Sequence, residues 1–345
     1  MDNHLHQTLA NLAAICEAQF IKRVVFSPGS RSAPLALTFL RNKNFEHYHL
    51  VDERSAAYFA LGLAKKDLIP TILICTSGTA VLNYAPAIVE AYFQQIPLLV
   101  LTADRPPELV DQNDNQAIFQ EGVFGKHVLK SFQMPVDYGH TASQVFAQKV
   151  MNQAILASVG KRLGPVHVNF PFREPFYPTS DNVTPSENIM VLDYEPSPLQ
   201  PQFHDEHFLP ELINDAKNIW VFGGQSHENF TPHLKHLIND FCQRTGALFF
   251  ADPLTSLHVN QQVYHYDAWL KTKEVQPPDL VISYGNHFVS KQLKQFMKRN
   301  QQVQHVHLQS HEGLADPFFS INYFVETYIS SFFEAIQPWI VGKEL

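Results

Sequence analysis

The sequence predicts an α/β protein with two tandem domains, each a mostly parallel sheet with helices on both faces. Short, almost wholly apolar runs such as Thr71-Ile72-Leu73-Ile74-Cys75-Thr76 and Leu98-Leu99-Val100-Leu101-Thr102-Ala103 are the mark of strands covered on both sides. They alternate with longer segments whose apolar residues recur at helical spacing, as parallel strands joined by helical crossovers do. The alternation lapses between Phe172 and about Gln202, where Pro175, Pro178, Pro185, Pro196, Pro198 and Pro201 fall among polar residues. This divides the chain into a first domain (1–178), a linker (179–202) and a smaller second domain (203–345).

In chain order, Leu5, Leu9, Leu12, Ile15 and Cys16 share one face of an opening helix. Arg23 to Phe26 is a strand, Ala33 to Leu40 a helix and Tyr48 to Val51 a second strand, leading into a helix that begins at Glu53. The apolar run Thr71 to Thr76 is followed by a helix from Thr79 to about Phe93, then the strand ending at Asp104. A helix over Ala142 to Ala157 and a strand from Pro165 to Phe170 complete the first domain. In the second, strands are expected at Ile219–Phe222, Ala247–Ala251, Leu280–Tyr284 and His305–Leu308. Helices are expected near Pro232–Arg244, Val289–Lys298 and Phe324–Ile336.

Composition excludes several classes of function. A net charge of −8, with no basic run, argues against a nucleic-acid or anionic-membrane partner, and no apolar stretch is long enough to span a bilayer. Cys16, Cys75 and Cys242 lack CxxC spacing and suit buried free thiols in a reducing cytosol. The opening Met1-Asp2-Asn3-His4 has no positive n-region, so a cytoplasmic location is expected. Eighteen histidines include His305 and His307 in one strand and His233 and His236 on one helix face, without an HExxH partner, so no metal ligands are assigned.

The motifs gather at strand ends. Gly29-Ser30-Arg31-Ser32 lacks the second glycine of a nucleophile elbow, which leaves either a capped turn or a turn offering backbone N–H groups and a guanidinium to an anion. Thr76-Ser77-Gly78-Thr79 and Gly223-Gly224-Gln225-Ser226 fit neither phosphate-loop nor GxGxxG spacing. Asp52 and Glu53 stand at a strand-to-helix junction, where helix capping is the ordinary reading and ligand binding at the sheet rim the alternative. Asp104-Arg105-Pro106-Pro107 ends a buried strand and opens a loop rich in side-chain amides, including Asn115 and Gln116. Parallel strands share one carboxyl-end rim, so Arg31, Glu53, Arg105 and Gln116 are expected to converge.

Taken together and in order, Ser27-Pro28-Gly29-Ser30-Arg31-Ser32, Asp52-Glu53-Arg54, Thr76-Ser77-Gly78-Thr79-Ala80, Thr102-Ala103-Asp104-Arg105-Pro106-Pro107-Glu108-Leu109 and Asn115-Gln116-Ala117 resemble a known family. It is the thiamine-diphosphate-dependent 2-succinyl-5-enolpyruvyl-6-hydroxy-3-cyclohexene-1-carboxylate synthase family of menaquinone biosynthesis. The likeness is close over residues 1–178 and looser in the second domain, where Ser290-Lys291 matches best.

The resemblance implies thiamine diphosphate and Mg²⁺ as cofactors, decarboxylation of 2-oxoglutarate, and addition of the succinyl carbanion equivalent to isochorismate. It also implies that the first domain holds the aminopyrimidine and that the second is the central Rossmann-like domain. No Gly-Asp-Gly followed by a distal Asn occurs in the sequence. The diphosphate and metal ligands are therefore expected on a further domain, supplied by a second subunit of a homodimer or homotetramer, and residues 1–345 alone are expected to be inactive. By resemblance, Glu53 is the catalytic carboxylate that hydrogen-bonds the pyrimidine N1′ and favours its imino tautomer. Pro28, Gly29, Thr76, Ser77 and Gly78 line the cofactor beside it, while Ser30, Arg31, Arg105, Asn115, Gln116 and Lys291 bind the dicarboxylate substrates. Two other readings stay open: another thiamine-diphosphate-dependent 2-oxo-acid lyase or ligase, and a non-catalytic binding or assembly module.

Overall fold

The structure is a computed structural model that describes residues 3–174, 177, 184–192, 201, 203, 207–228, 231–255, 257–272, 274–313 and 315–342. The expected linker at 179–202 lies largely outside the described residues. The chain separates into two compact units, Met1–Pro196 and Ser197–Leu345.

The first unit is built on six strands: β1 (Arg23–Phe26), β2 (Glu46–His49), β3 (Thr71–Cys75), β4 (Leu98–Asp104), β5 (Ser131–Gln133) and β6 (Pro165–Pro171). They lie in the order β2-β1-β3-β4-β6-β5, and every adjacent pair is parallel. Its helices are α1 (Asn3–Ala18), α2 (Ala33–Arg41), α3 (Glu53–Asp67), α4 (Thr79–Asn83), α5 (Ala85–Gln94) and α6 (Thr141–Ser158).

Side chains alternate across each strand, so one apolar run feeds two cores. Ile72, Ile74, Leu99 and Leu101 pack with Leu9 and Leu12 of α1, Phe39 of α2 and Val150 of α6. Leu73, Cys75, Leu98 and Val100 pack on the other face with Ala56 and Ala60 of α3 and Ala87 and Ile88 of α5. The alanines along α3 and α5 let both helices lie close to the sheet. Each large aliphatic side chain buried here contributes about 1.5–3 kcal/mol, which makes the sheet a rigid base for the turns at its rim.

The strand order reverses between β1 and β3. The chain leaves β1 toward β2 on one side and leaves β3 toward β4 on the other, so their carboxyl ends frame the crevice where open α/β sheets bind ligands.

The second unit carries β7 (Ile219–Gly223), β8 (Leu248–Ala251), β9 (Leu280–Tyr284), β10 (Gln304–Gln309) and β11 (Tyr323–Glu326), in the all-parallel order β11-β10-β9-β7-β8. Its helices are α7 (Phe208–Asp215), α8 (Pro232–Thr245), α9 (Tyr266–Trp269), α10 (Lys291–Arg299) and α11 (Ile329–Ile336). Buried Trp220 centres one core, 4.7 Å from the Phe250 ring and 5.5 Å from Phe296. On the other face Val221, Ile282 and Leu308 meet Leu237, Phe241 and Phe332. The Gly223-Gly224 turn bonds directly to the turn after β9, through Gly224 N–H to Tyr284 O at 2.9 Å and Asn286 N–H to Gln225 O at 2.8 Å.

The fold class agrees with the sequence, and the element boundaries differ in instructive places. The second strand is Glu46–His49, two residues earlier than expected, because its register with β1 pairs Val24 with His47 and Phe26 with His49. The helix expected over Thr79–Phe93 is two helices, with Tyr84 between them and a proline in the first turn of α5. Pro86 supplies no N–H to a continuous helix and restarts it instead. The helix expected from Phe324 begins only at Ile329, since Tyr323–Glu326 pairs with β10 as an edge strand. Among the described residues, no helix is long and apolar enough to cross a membrane.

Candidate active site at the sheet rim

The turn after β1 is held by its neighbour. Ser27 N–H donates to Ile74 O at 3.1 Å, and Ser32 Oγ donates to Gly29 O at 3.0 Å. A Cβ on Gly29 would lie 2.4 Å from Thr76 Cβ, so the two turns at the switch point touch and only glycine fits there. Pro28 and Ser30 are exposed, and Arg31 is buried with Nη1 donating to Phe172 O at 2.6 Å. The guanidinium is thus anchored to the end of β6.

The second turn carries Thr76, Ser77 and Gly78, all buried. Ser77 Oγ has no hydrogen-bond partner among the described residues, an uncommon state for a buried hydroxyl and one that a bound group would relieve. Gly78 has φ +82°, and a Cβ there would meet the Gln116 carbonyl oxygen at 2.9 Å. Gln116, exposed, is itself left-handed at φ +54°. The loop after β4 therefore lies directly on the turn after β3.

Arg105 shapes that loop. Its Nε and Nη2 both donate to the Asn115 carbonyl, the former at 3.0 Å, and Nε is 2.7 Å from an Asp114 carboxylate oxygen. Asn115 is exposed.

Glu53 opens α3, half-buried. Capping falls to its neighbour: Asp52 accepts from Ser55 N–H at 2.7 Å, leaving the Glu53 carboxyl free of that task. Burial pushes the Cys75 thiol and the Tyr84 phenol up, and the Glu53 carboxylate adds to both shifts, which sets it near the end of β3. Tyr84 Oη donates to Ile74 O at 2.7 Å beneath the turn.

Beneath the rim runs a polar network with no counterpart in the sequence-based expectations. Gln120, 1% exposed, accepts from Gly78 N–H at 2.9 Å and donates to Ala103 O at 2.9 Å and Asn169 Oδ1 at 2.8 Å. Asn169 donates to Asp104 Oδ2 at 2.7 Å and to Gln133 Oε1 at 3.0 Å. Burial raises the Asp104 carboxyl above the usual carboxylate range, against the lowering pull of Asn169 and the Arg105 N–H. A cavity of about 440 Å³ opens beside Asp104, Arg105, Phe119, Gln120 and Gln133. A groove of about 540 Å³ between α1 and α2 shares no lining residue with this rim. Hydropathy carries no signal for Gln120 or Asn169, because their partners are distant in sequence.

Lys291 belongs to the second unit, exposed at the first position of α10. Ser290 caps that helix by accepting from Leu293 N–H at 3.0 Å and donates to Asp267, while buried Asp252 accepts from Val289 N–H at 2.7 Å. A cation at a helix start opposes the helix dipole, a local conflict of the kind found where a residue serves a ligand. Among the described residues, no group of three or more His, Cys, Asp or Glu side chains could hold a metal ion.

A doubly wound parallel sheet with a carboxylate and two touching turns at its switch point is the arrangement at which open α/β sheets bind ligands. Residues 7–124 match the family model of the thiamine pyrophosphate enzyme, N-terminal TPP binding domain. Over most of its length the chain is similar to proteins named 2-succinyl-5-enolpyruvyl-6-hydroxy-3-cyclohexene-1-carboxylate synthase. It is 38% identical to the Cytophaga hutchinsonii enzyme of that name over 307 residues, covering 87% of this chain and 53% of the relative. It is 33% identical to the Porphyromonas gingivalis enzyme, covering 96% and 57%, and 32% identical to that of Bacillus cytotoxicus, covering 100% and 61%. The chain thus spans between about half and three-fifths of the length of these curated relatives.

Proposed function

We propose that this chain contributes the pyrimidine-binding and central domains of a 2-succinyl-5-enolpyruvyl-6-hydroxy-3-cyclohexene-1-carboxylate synthase acting in menaquinone biosynthesis, with 1–178 and 203–345 as the two domains. The observation that carries this reading is the convergence at the β1/β3 switch point of Glu53, the Gly29–Thr76 contact and the Gly78–Gln116 contact. The residues suit the cofactor's aminopyrimidine: a carboxylate for a ring nitrogen, a buried hydroxyl with unused capacity at Ser77, and turns that only glycine allows.

Glu53 would hydrogen-bond the ring nitrogen and hold a proton there, while Pro28, Gly29, Thr76, Ser77 and Gly78 line the ring. When bound, thiamine diphosphate supplies a carbon nucleophile and an electron sink for decarboxylating a 2-oxo acid. The substrates, 2-oxoglutarate and isochorismate, are dicarboxylates, and Arg31, Arg105 and Lys291 are the cations assigned to them, with Ser30, Asn115 and Gln116 as directional hydrogen-bonding groups. Mg²⁺ and the diphosphate are assigned to a further domain of a second subunit, in a cytoplasmic homodimer or homotetramer. Three buried free cysteines suit a reducing compartment.

The test is CO₂ release by the complete enzyme with thiamine diphosphate and Mg²⁺. Release from 2-oxoglutarate, coupled to loss of isochorismate, supports the reading. Release from pyruvate in its place would overturn the dicarboxylate assignment, and failure of thiamine diphosphate to raise the melting temperature would favour a non-catalytic module.

A further inference from the structure

We propose that Gln120 is the positioning residue of this rim: its buried side-chain amide sets the Thr76–Thr79 turn against the Asn115–Gln116 loop. The inference rests on the reading of that rim as the pyrimidine site, and the positioning itself is testable without it.

The turn after β3 and the loop after β4 carry the residues proposed to face the cofactor and substrate, yet neither is regular structure. Gln116 adopts a left-handed backbone without being glycine. Such a residue keeps that conformation only where its surroundings hold it. Two supports are present. Arg105 donates to the carbonyl of the preceding residue, Asn115, and Gly78 lies against the Gln116 backbone so closely that a Cβ would reach within 2.9 Å of its oxygen. The second support is only as firm as Gly78. Its N–H donates to Gln120 Oε1 at 2.9 Å.

Gln120 is tied down on its other side. Nε2 donates to Ala103 O at 2.9 Å and to Asn169 Oδ1 at 2.8 Å, and lies 3.4 Å from Thr102 Oγ1. The anchors belong to β4 and β6, adjacent strands paired along seven residues of register. Gln120 is therefore a strut from rigid sheet to irregular turn, and Gly78 transmits its position to Gln116. A carboxylate could not do this, because an acceptor would face the Ala103 and Asn169 oxygens. An apolar residue could fill the space but would leave Gly78 N–H unpaired.

The experiment follows amide hydrogen exchange in the 345-residue chain. Gln120→Met keeps the volume and removes the amide; Gln120→Glu keeps one acceptor and removes the donors. We expect exchange at Gly78 and across 112–117 to accelerate at least tenfold in both variants, with Ile72–Ile74 and Leu99–Leu101 unchanged. Unchanged exchange at Gly78 would overturn the proposal. So would acceleration spreading equally through β3 and β4, or loss of the folded state in both variants, because Gln120 would then be serving core stability alone. In the complete enzyme, Gln120→Met should raise the half-saturating concentration of thiamine diphosphate at least tenfold with kcat changed less than threefold. Local loosening without that rise leaves the strut standing and counts against the rim as the cofactor site.

Discussion

Arg105 grips the loop that follows its own strand: its Nε donates to the Asn115 carbonyl at 3.0 Å and lies 2.7 Å from the Asp114 carboxylate. The guanidinium proposed to meet a substrate carboxylate is thus also a clamp on the loop that presents Asn115 and Gln116. The Arg105 side chain is only 11% exposed, while Asp114 and the Asn115 carbonyl it holds lie at the solvent-facing surface of the loop.

For Arg105 this dual role predicts that Arg105→Lys fails to restore what Arg105→Ala removes, because an ammonium cannot place two donors on one carbonyl. Both variants should raise KM for at least one dicarboxylate, with a loss of about 2–5 kcal/mol in transition-state binding where the contact is buried. Steady-state kinetics with each substrate varied in turn makes the check. Wild-type kinetics in Arg105→Lys would refute the bidentate role.

Glu53→Gln should leave the fold intact, since the cap of α3 is supplied by Asp52 and Ser55. Turnover of the complete enzyme should fall by about 100-fold or more, the usual reach of a positioned acid–base group. Circular dichroism and CO₂ release, measured on the same preparation, separate the two effects. Near-normal turnover would sink the assignment.

Gly29→Ala should destabilise the first unit by about 1–3 kcal/mol, the usual cost of overpacking. The new Cβ would fall 2.4 Å from Thr76 Cβ, a stiff β-branched side chain on a buried turn. A lower denaturant midpoint with an unchanged slope is the expected signature. A midpoint equal to wild type would show that the two turns can part.

Acid should weaken both units through buried histidines. Burial holds His167 and His305 down to about 3, with His307 adding to the effect on His305. Burial likewise lowers His307 to about 4, opposed by Gln309 and Asp316. Hydroxyls are among their hydrogen-bond partners: Thr102 and Ser131 for His167, Ser283 and Ser320 for His305, and Ser283, beside Gln309, for His307. In the unfolded chain these rings take up protons near pH 6.5, whereas the folded protein keeps them neutral. The unfolded state then binds more protons, so stability is full above about pH 6.5 and falls steadily toward pH 4. Melting temperatures across that range test the sign. A flat profile would contradict it.

Much of the fold is readable from local pattern, because a strand buried on both faces must be apolar throughout and a helix on a sheet must carry a stripe. Thr71–Cys75 and Leu98–Asp104 follow from that rule alone. Ser131–Gln133 and Tyr323–Glu326 do not, since three or four residues of mixed character become strands only by pairing with β6 and β10. At the rim, the glycine turns and the charged strand ends are visible as motifs. The support beneath them is not: Gln120 looks like one more polar residue in a polar loop.

The sequence by itself determined the doubly wound architecture, the order of the turns and which chemical groups stand at strand ends, because these depend on near neighbours and on burial. Only the tertiary structure decided that Asp52, not Glu53, caps α3, and that Arg31 reaches a carbonyl 141 residues away at Phe172. It likewise decided that Gln120 braces Gly78 across 42 residues while anchoring to Asn169 across 49. Such bonds need both partners brought together and dried by the packed sheet and helices, and no local pattern encodes which distant atom will complete them.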